Sequence, residues 1–331
     1  MKTLPSRRIF MSALVAVALV CGFAGQGLAA DKIKLRMAGS GSPTGTRAIA
    51  LDEQFAPAVA EFAVYEPHWN SSLFKQGTEL EAIARGNLDM ALASAQELAV
   101  FFPEFSIFAT GYVHRDAAHQ TAVFKDPLMD PFKKKAEEEL NLKLLSVMYF
   151  GARQLNLRTD KKVMTPEDLA GVNLRMPGTD AWQFLGKALG ANPTPMAFAE
   201  VYTGLQSGAI DGQDNPLPTM VDKKFYEVTK QVILTSHLVD LNYIAISKKV
   251  WDKLTPEQQA TVQAAADAAA KQCGEKQVAK EKELQEFLKE KGLQVYEPDL
   301  DAFRKRVQSM YLESDIAKSW PQGLLEKINS L

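Results

Sequence analysis

Cysteine is nearly absent: the 331 residues contain two, Cys21 and Cys273. If the N-terminal segment is removed, only Cys273 is left. No internal disulfide can then form, and stability must come from burial of apolar surface. Histidine is scarce as well, with four residues. His114 and His119 stand five apart, which does not suit a helical metal pair, and no cysteine lies near them. No metal site and no cofactor is expected. There is no Gly-x-Ser-x-Gly nucleophile elbow, and Cys273 falls within a predicted long helix, where a packed thiol is the ordinary role. Carboxylates are plentiful, but sequence alone places no two of them as a catalytic pair, so a glycosidase is unsupported without being excluded. No basic stripe interleaved with aromatics occurs, and the formal net charge is -2. Nucleic acid is therefore not an expected partner. With 46% hydrophobic and 24% charged residues, the composition is that of an ordinary soluble globule.

What is present begins with a targeting pattern. Arg7 and Arg8 precede an apolar run from Ile9 to about Gly25, and Gly27, Ala29 and Ala30 follow. That order is a secretory signal, and the run is too short and wrongly flanked for a membrane span. Ser6 to Phe10 resembles a twin-arginine signal, with the Sec route left open. Val20 is bulkier than the residue expected before a lipidated cysteine, which argues against Cys21 as an anchor. Removal of residues 1–30 would deliver 31–331 to the periplasm, a chain long enough for two lobes.

The mature part opens with an alternating strand, Lys32 to Met37, then a loop of small residues, Gly39 to Thr46, then a helix predicted over Arg47 to Phe62. The loop matches neither a Walker motif nor a dinucleotide fingerprint, so it reads as the rim of a cleft. Two segments, Glu79 to Asp89 and Glu200 to Asp211, share one rhythm of helix, glycine stop and short strand. Thr165-Pro166-Glu167-Asp168 carries a helix-start signal that Gly171 ends. In Val172 to Met176, alternation places Val172, Leu174 and Met176 on one face, with Asn173 and Arg175 on the other. Thr255-Pro256-Glu257-Gln258 starts a helix that nothing decisively breaks before Gly292. At ~1.5 Å per residue it would run about 50 Å, more than one small lobe is wide.

Several ordered blocks then resemble one family. They are Gly151-Ala152-Arg153-Gln154, Thr165 to Leu169, Leu174-Arg175-Met176-Pro177, Gly190 to Phe198, Glu200-Val201-Tyr202 and Asp211 to Pro216. Together they resemble the solute-binding subunit of tripartite ATP-independent periplasmic (TRAP) transporters, of the DctP/SiaP type. The resemblance implies an α/β, two-lobed periplasmic binding protein with a hinged cleft and a long helix crossing both lobes. Lobe I would take residues 31–151 plus 240–275, and lobe II 152–239 plus 276–331. It implies a monomeric receptor, not an enzyme, that carries a small organic carboxylate to small and large membrane subunits.

The same resemblance assigns Arg175 as the principal carboxylate clamp, Arg153 as a second arginine, Asn215 as a hydrogen-bonding amide and Phe198 as a packing ring. Asn242 stands where sialic-acid-binding members carry glutamine. Ser94 and Glu97 stand where that group carries glutamate and arginine, and Gln76 replaces an aspartate. These departures disfavour sialic acid, and a cleft-facing Glu97 would disfavour a second anionic end. Trp69 beside Asn70 and Ser71 is either an aromatic wall for a sugar or aromatic acid or ordinary packing. A guanidinium matches a carboxylate in two parallel bonds and keeps its charge, which suits Arg175 to its role. A receptor serving a signalling partner, or a periplasmic hydrolase or lyase, are the competing readings.

Overall fold

The computed structural model describes residues Lys32 to Leu331. The expected secretory signal, including Arg7, Arg8 and Cys21, lies outside the described residues. Among them, no helix is long and apolar enough to cross a membrane.

Nine strands make one sheet: β1 (Ile33–Ala38), β2 (Ala63–His68), β3 (Met90–Ala93), β4 (Leu142–Leu157), β5 (Asn173–Met176), β6 (Asn192–Pro195), β7 (Gly212–Pro216), β8 (Gln231–Ser247) and β9 (Gln294–Tyr296). Their order is β2-β1-β3-β8-β4-β7-β5-β6, with β9 also on β8. The two longest strands, β4 and β8, pair antiparallel along nearly their whole length. At one end of this ribbon β3 joins β8 through Met90 to Ala93, opposite Tyr243 to Ile246. At the other end β7 joins β4 through Gly212 to Pro216, opposite Arg153 to Leu157. The remaining strands thus attach at opposite ends, and two halves share one continuous pair of strands.

Both β4 and β8 are apolar and buried for most of their length, as strands covered on both faces must be. Register shifts fall between Leu144 and Ser146, Tyr149 and Gly151, and Arg153 and Leu155. The first two each leave one β4 residue without a β8 partner, and the third skips Leu234 to His237 of β8, bending the strands. Gly151 sits at the middle shift with φ 123°, and a Cβ there would come within 2.5 Å of Glu281 Oε1. Only glycine fits both demands.

The long helix runs Pro256–Glu290, opened by the reciprocal Thr255/Gln258 capping box. Its early face, Val262, Ala266 and Ala269, packs into a core with Leu35, Phe55 and Ile244. Its late face, Leu284 and Leu288, meets Leu217 and Met220. It crosses both halves, as expected. The helix predicted over Arg47 to Phe62 runs instead from Thr46 to Val59, with a π turn at Leu51–Phe55. It ends early because Ala60 and Phe62 close a turn on Pro57 and Val59 carbonyls.

Candidate ligand-binding site

A narrow cavity opens between the two halves. All nine residues singled out from sequence line it: Trp69, Gln76, Ser94, Glu97, Arg153, Arg175, Phe198, Asn215 and Asn242. The wall also includes Arg47, Glu79, Phe150, Trp182 and Asp240, which sequence reasoning did not pick out.

The glycine-rich loop after β1 acts by being thin. A Cβ on Gly39 would lie 2.7 Å from Trp69 Cζ3, and one on Gly41 would lie 2.9 Å from Arg47 Nη2. Trp69 and Arg47 therefore rest directly against backbone. Trp69 is buried, and its Nε1 has no hydrogen-bond partner among the described residues. The Arg47 guanidinium lies 3.7 Å over the Phe150 ring and donates to Asn242 Oδ1. Asn242 thus positions an arginine as well as facing the cavity.

Arg175 projects from β5 and is 1% exposed. Sequence alternation put it on the polar face of the strand; Asn173 on that face is exposed, but the Arg175 position is covered. Its Nε donates to Met196 O at 2.9 Å, and its Nη2 to Gln76 Oε1 at 3.3 Å. The guanidinium carbon sits 5.7 Å from the Phe198 ring centre. Among the described residues no carboxylate oxygen comes within 4.0 Å of it. Burial pulls its pKa down to about 9, against the pull of Asp214, so it stays charged at neutral pH. Gln76 Oε1 also accepts from the Phe198 N–H at 3.0 Å, which ties the first half to the second.

Arg153 on β4 is placed differently. Nε donates to Asp214 Oδ2 at 2.6 Å and Nη1 to Asp240 Oδ2 at 2.7 Å. Nη2 reaches both the Asp214 carbonyl and Oδ1, and Trp182 stacks 4.5 Å away. His237 Nε2 adds a 3.1 Å contact to Asp214 Oδ2. Burial would favour neutral forms, but the paired charges override it: Arg153 is raised, and Asp214 is held well below the usual carboxylate range. Arg153 therefore lines the cavity with most of its donors committed. Arg153, the expected second arginine of the site, is thus largely satisfied by two internal carboxylates.

Ser94 and Glu97 also hold each other. Ser94 Oγ accepts from the Glu97 N–H at 3.1 Å, and Glu97 Oε2 accepts from the Ser94 N–H at 2.9 Å. This capping box opens the helix Ala95–Phe101, so both residues have a structural duty beside their place in the wall. Glu79 accepts from the Gly77 N–H at 2.7 Å. Burial and the neighbouring Glu97 push its pKa up to about 7. Asn215, 3% exposed, donates to Gln213 Oε1 at 2.6 Å, and Gln213 donates to Asn156. Two exposed bonds join residues distant in sequence: Thr44 Oγ1 donates to Asp222 Oδ1 at 2.6 Å, and Lys223 Nζ to Asn70 Oδ1 at 2.8 Å.

Residues 40–317 match the family described as bacterial extracellular solute-binding protein, family 7 (DctP). The sialic acid-binding periplasmic protein SiaP of Vibrio cholerae is 32% identical over 71% of this chain and 73% of its own. The 2,3-diketo-L-gulonate-binding periplasmic protein YiaO of Escherichia coli is 32% identical over 77% of each. A crystal structure of a TRAP periplasmic solute-binding protein from Roseobacter denitrificans, with bound 3-deoxy-D-manno-oct-2-ulosonic acid (KDO), is 69% identical. It covers 91% of this chain and 99% of that one at a TM-score of 0.90. The chain belongs to the family 7 extracellular solute-binding proteins, the organic-acid receptors of TRAP transport systems.

Proposed function

We propose that this receptor captures a sugar monocarboxylate of the 3-deoxy-2-ulosonic type, KDO first among them, and releases it unchanged to its membrane subunits. One observation carries the reading: Arg175 is a buried cation with no carboxylate oxygen within 4.0 Å among the described residues. Burying an isolated charge is costly unless a partner neutralises it, and a ligand carboxylate supplies that partner. The polar and aromatic wall suits a hydroxylated body with an apolar face. The 69% identity to a KDO-bound receptor supports the choice of acid.

In this reading residues 1–30 are cleaved on export to the periplasm. The lobes divide at 151/152, 239/240 and 275/276, and closure uses the bent part of β4 and β8 near Gly151 and Asp240. Calorimetry of the mature protein with KDO is the test. Arg175→Ala should lose ~3–5 kcal/mol of binding, about two to four decades of affinity. Retained affinity in that variant would sink the clamp, and turnover of bound acid seen by NMR over hours would sink the receptor role.

A further inference from the structure

The cavity wall carries two chemically distinct features. One is Arg175, awaiting an anion. The other is a pair of carboxylates, Glu79 and Glu97, and among the described residues neither has a lysine or arginine nitrogen within 4.0 Å. Each is held through one oxygen by a backbone N–H: Gly77 for Glu79 Oε2, Ser94 for Glu97 Oε2. They come from separate helices, Glu79–Ala84 and Ala95–Phe101. The other charged groups nearby are Arg47, which donates to Asn242 and lies on Phe150, and Asp240, which Arg153 engages. Two carboxylates with no ion pair of their own leave this part of the wall acceptor-rich and short of donors.

Resting on the sugar-acid reading above, we infer that Glu79 and Glu97 read the hydroxyl tail of the ligand and bar a second anionic group from their part of the cavity. Above about pH 7 Glu79 is ionised, and an ionised carboxylate accepts hydrogen bonds and donates none. Sugar hydroxyls supply the missing donors as the cavity closes. A phosphate or second carboxylate supplies none and adds negative charge to a desolvated pair. Burial pushes both carboxyls up, and for Glu97 the nearby Arg47 offsets this only in part. The two glutamates thus select sugar monoacids over their phosphorylated or dicarboxylate counterparts.

The test compares KDO with its 8-phosphate by calorimetry on the mature protein, on Glu79→Gln and on Glu97→Gln. The unmodified protein should prefer KDO by ~100-fold or more. Each glutamine variant should bind KDO about 3- to 10-fold more weakly and narrow the preference about tenfold, because an amide removes charge and adds a donor. Glutamine preserves the Ser94 capping box, so Glu97→Gln should melt with the parent. The variants lie on different helices, so a folding defect in one leaves the other to decide. An unchanged preference in the folded variants overturns the inference. Failure of the unmodified protein to bind KDO or any other sugar acid overturns the sugar-acid reading instead.

Discussion

Arg153 and Arg175 lie on strands of one sheet, are 3% and 1% exposed, and border one cavity, yet their surroundings are opposite. Around Arg153 the fold has gathered Asp214, Asp240 and His237. Around Arg175 it offers a backbone carbonyl, an amide oxygen and a ring, with no carboxylate oxygen within 4.0 Å among the described residues. The first cation has its counter-ions within the fold. The second, in the proposed reading, receives its counter-ion from the ligand. Burial of an arginine is therefore no guide to its role; the presence of a counter-ion is.

The sharpest way to break this comparison is Arg153→Ala. It leaves Asp214 and Asp240 buried without their cation and should cost ~3–5 kcal/mol in denaturant unfolding. Arg175→Ala leaves no orphaned acid, so the ligand-free protein should keep its stability. Equal losses in both variants would erase the distinction.

Glu79 belongs with the uncompensated groups, and pH should show it. Its carboxyl is raised from 4.5 to about 7 in the folded chain, so between those values the folded state holds more protons than the unfolded. Stability must then fall as pH rises through that window, by on the order of 3 kcal/mol at most. Glu79→Gln should flatten that slope, and an unaltered slope would show that Glu79 does not titrate there.

Gly39→Ala probes the thin loop. Its Cβ would press within 2.7 Å of the Trp69 ring and should cost ~1–3 kcal/mol in thermal unfolding, with tryptophan emission altered. The smallest effect is expected from Arg175→Lys, which keeps charge but loses the planar fork. A loss of about tenfold in KDO affinity, well short of the alanine variant, would separate geometry from charge.

Local signals carried much of the fold. The Thr255 capping box and the uninterrupted pattern after it gave the long helix nearly to its observed ends, because caps and periodicity are read within a few residues. The blocks around Arg153, Arg175 and Asn215 led to residues that share one cavity. What escaped were partnerships distant in sequence. Arg47 meets Asn242 and Phe150, and Arg153 meets Asp214 and Asp240; no local pattern announces either. Alternation gave the correct face for Arg175, but its burial depends on Gln76 and Met196 arriving from elsewhere. At Ser94 and Glu97 the S-x-x-E spacing of a capping box was in plain view, yet only their family position was read and the capping role was passed over.

The shared pair β4 and β8 also governs how this chain assembles. Met90 must find Ile246, and Leu142 must find Ser247, so the centre of the sheet closes only when late segments arrive. Such distant pairing folds slowly and leaves apolar strands uncovered in the meantime. A chain cut before Gln231 would keep β4 without its longest neighbour, and it should aggregate rather than yield a stable half.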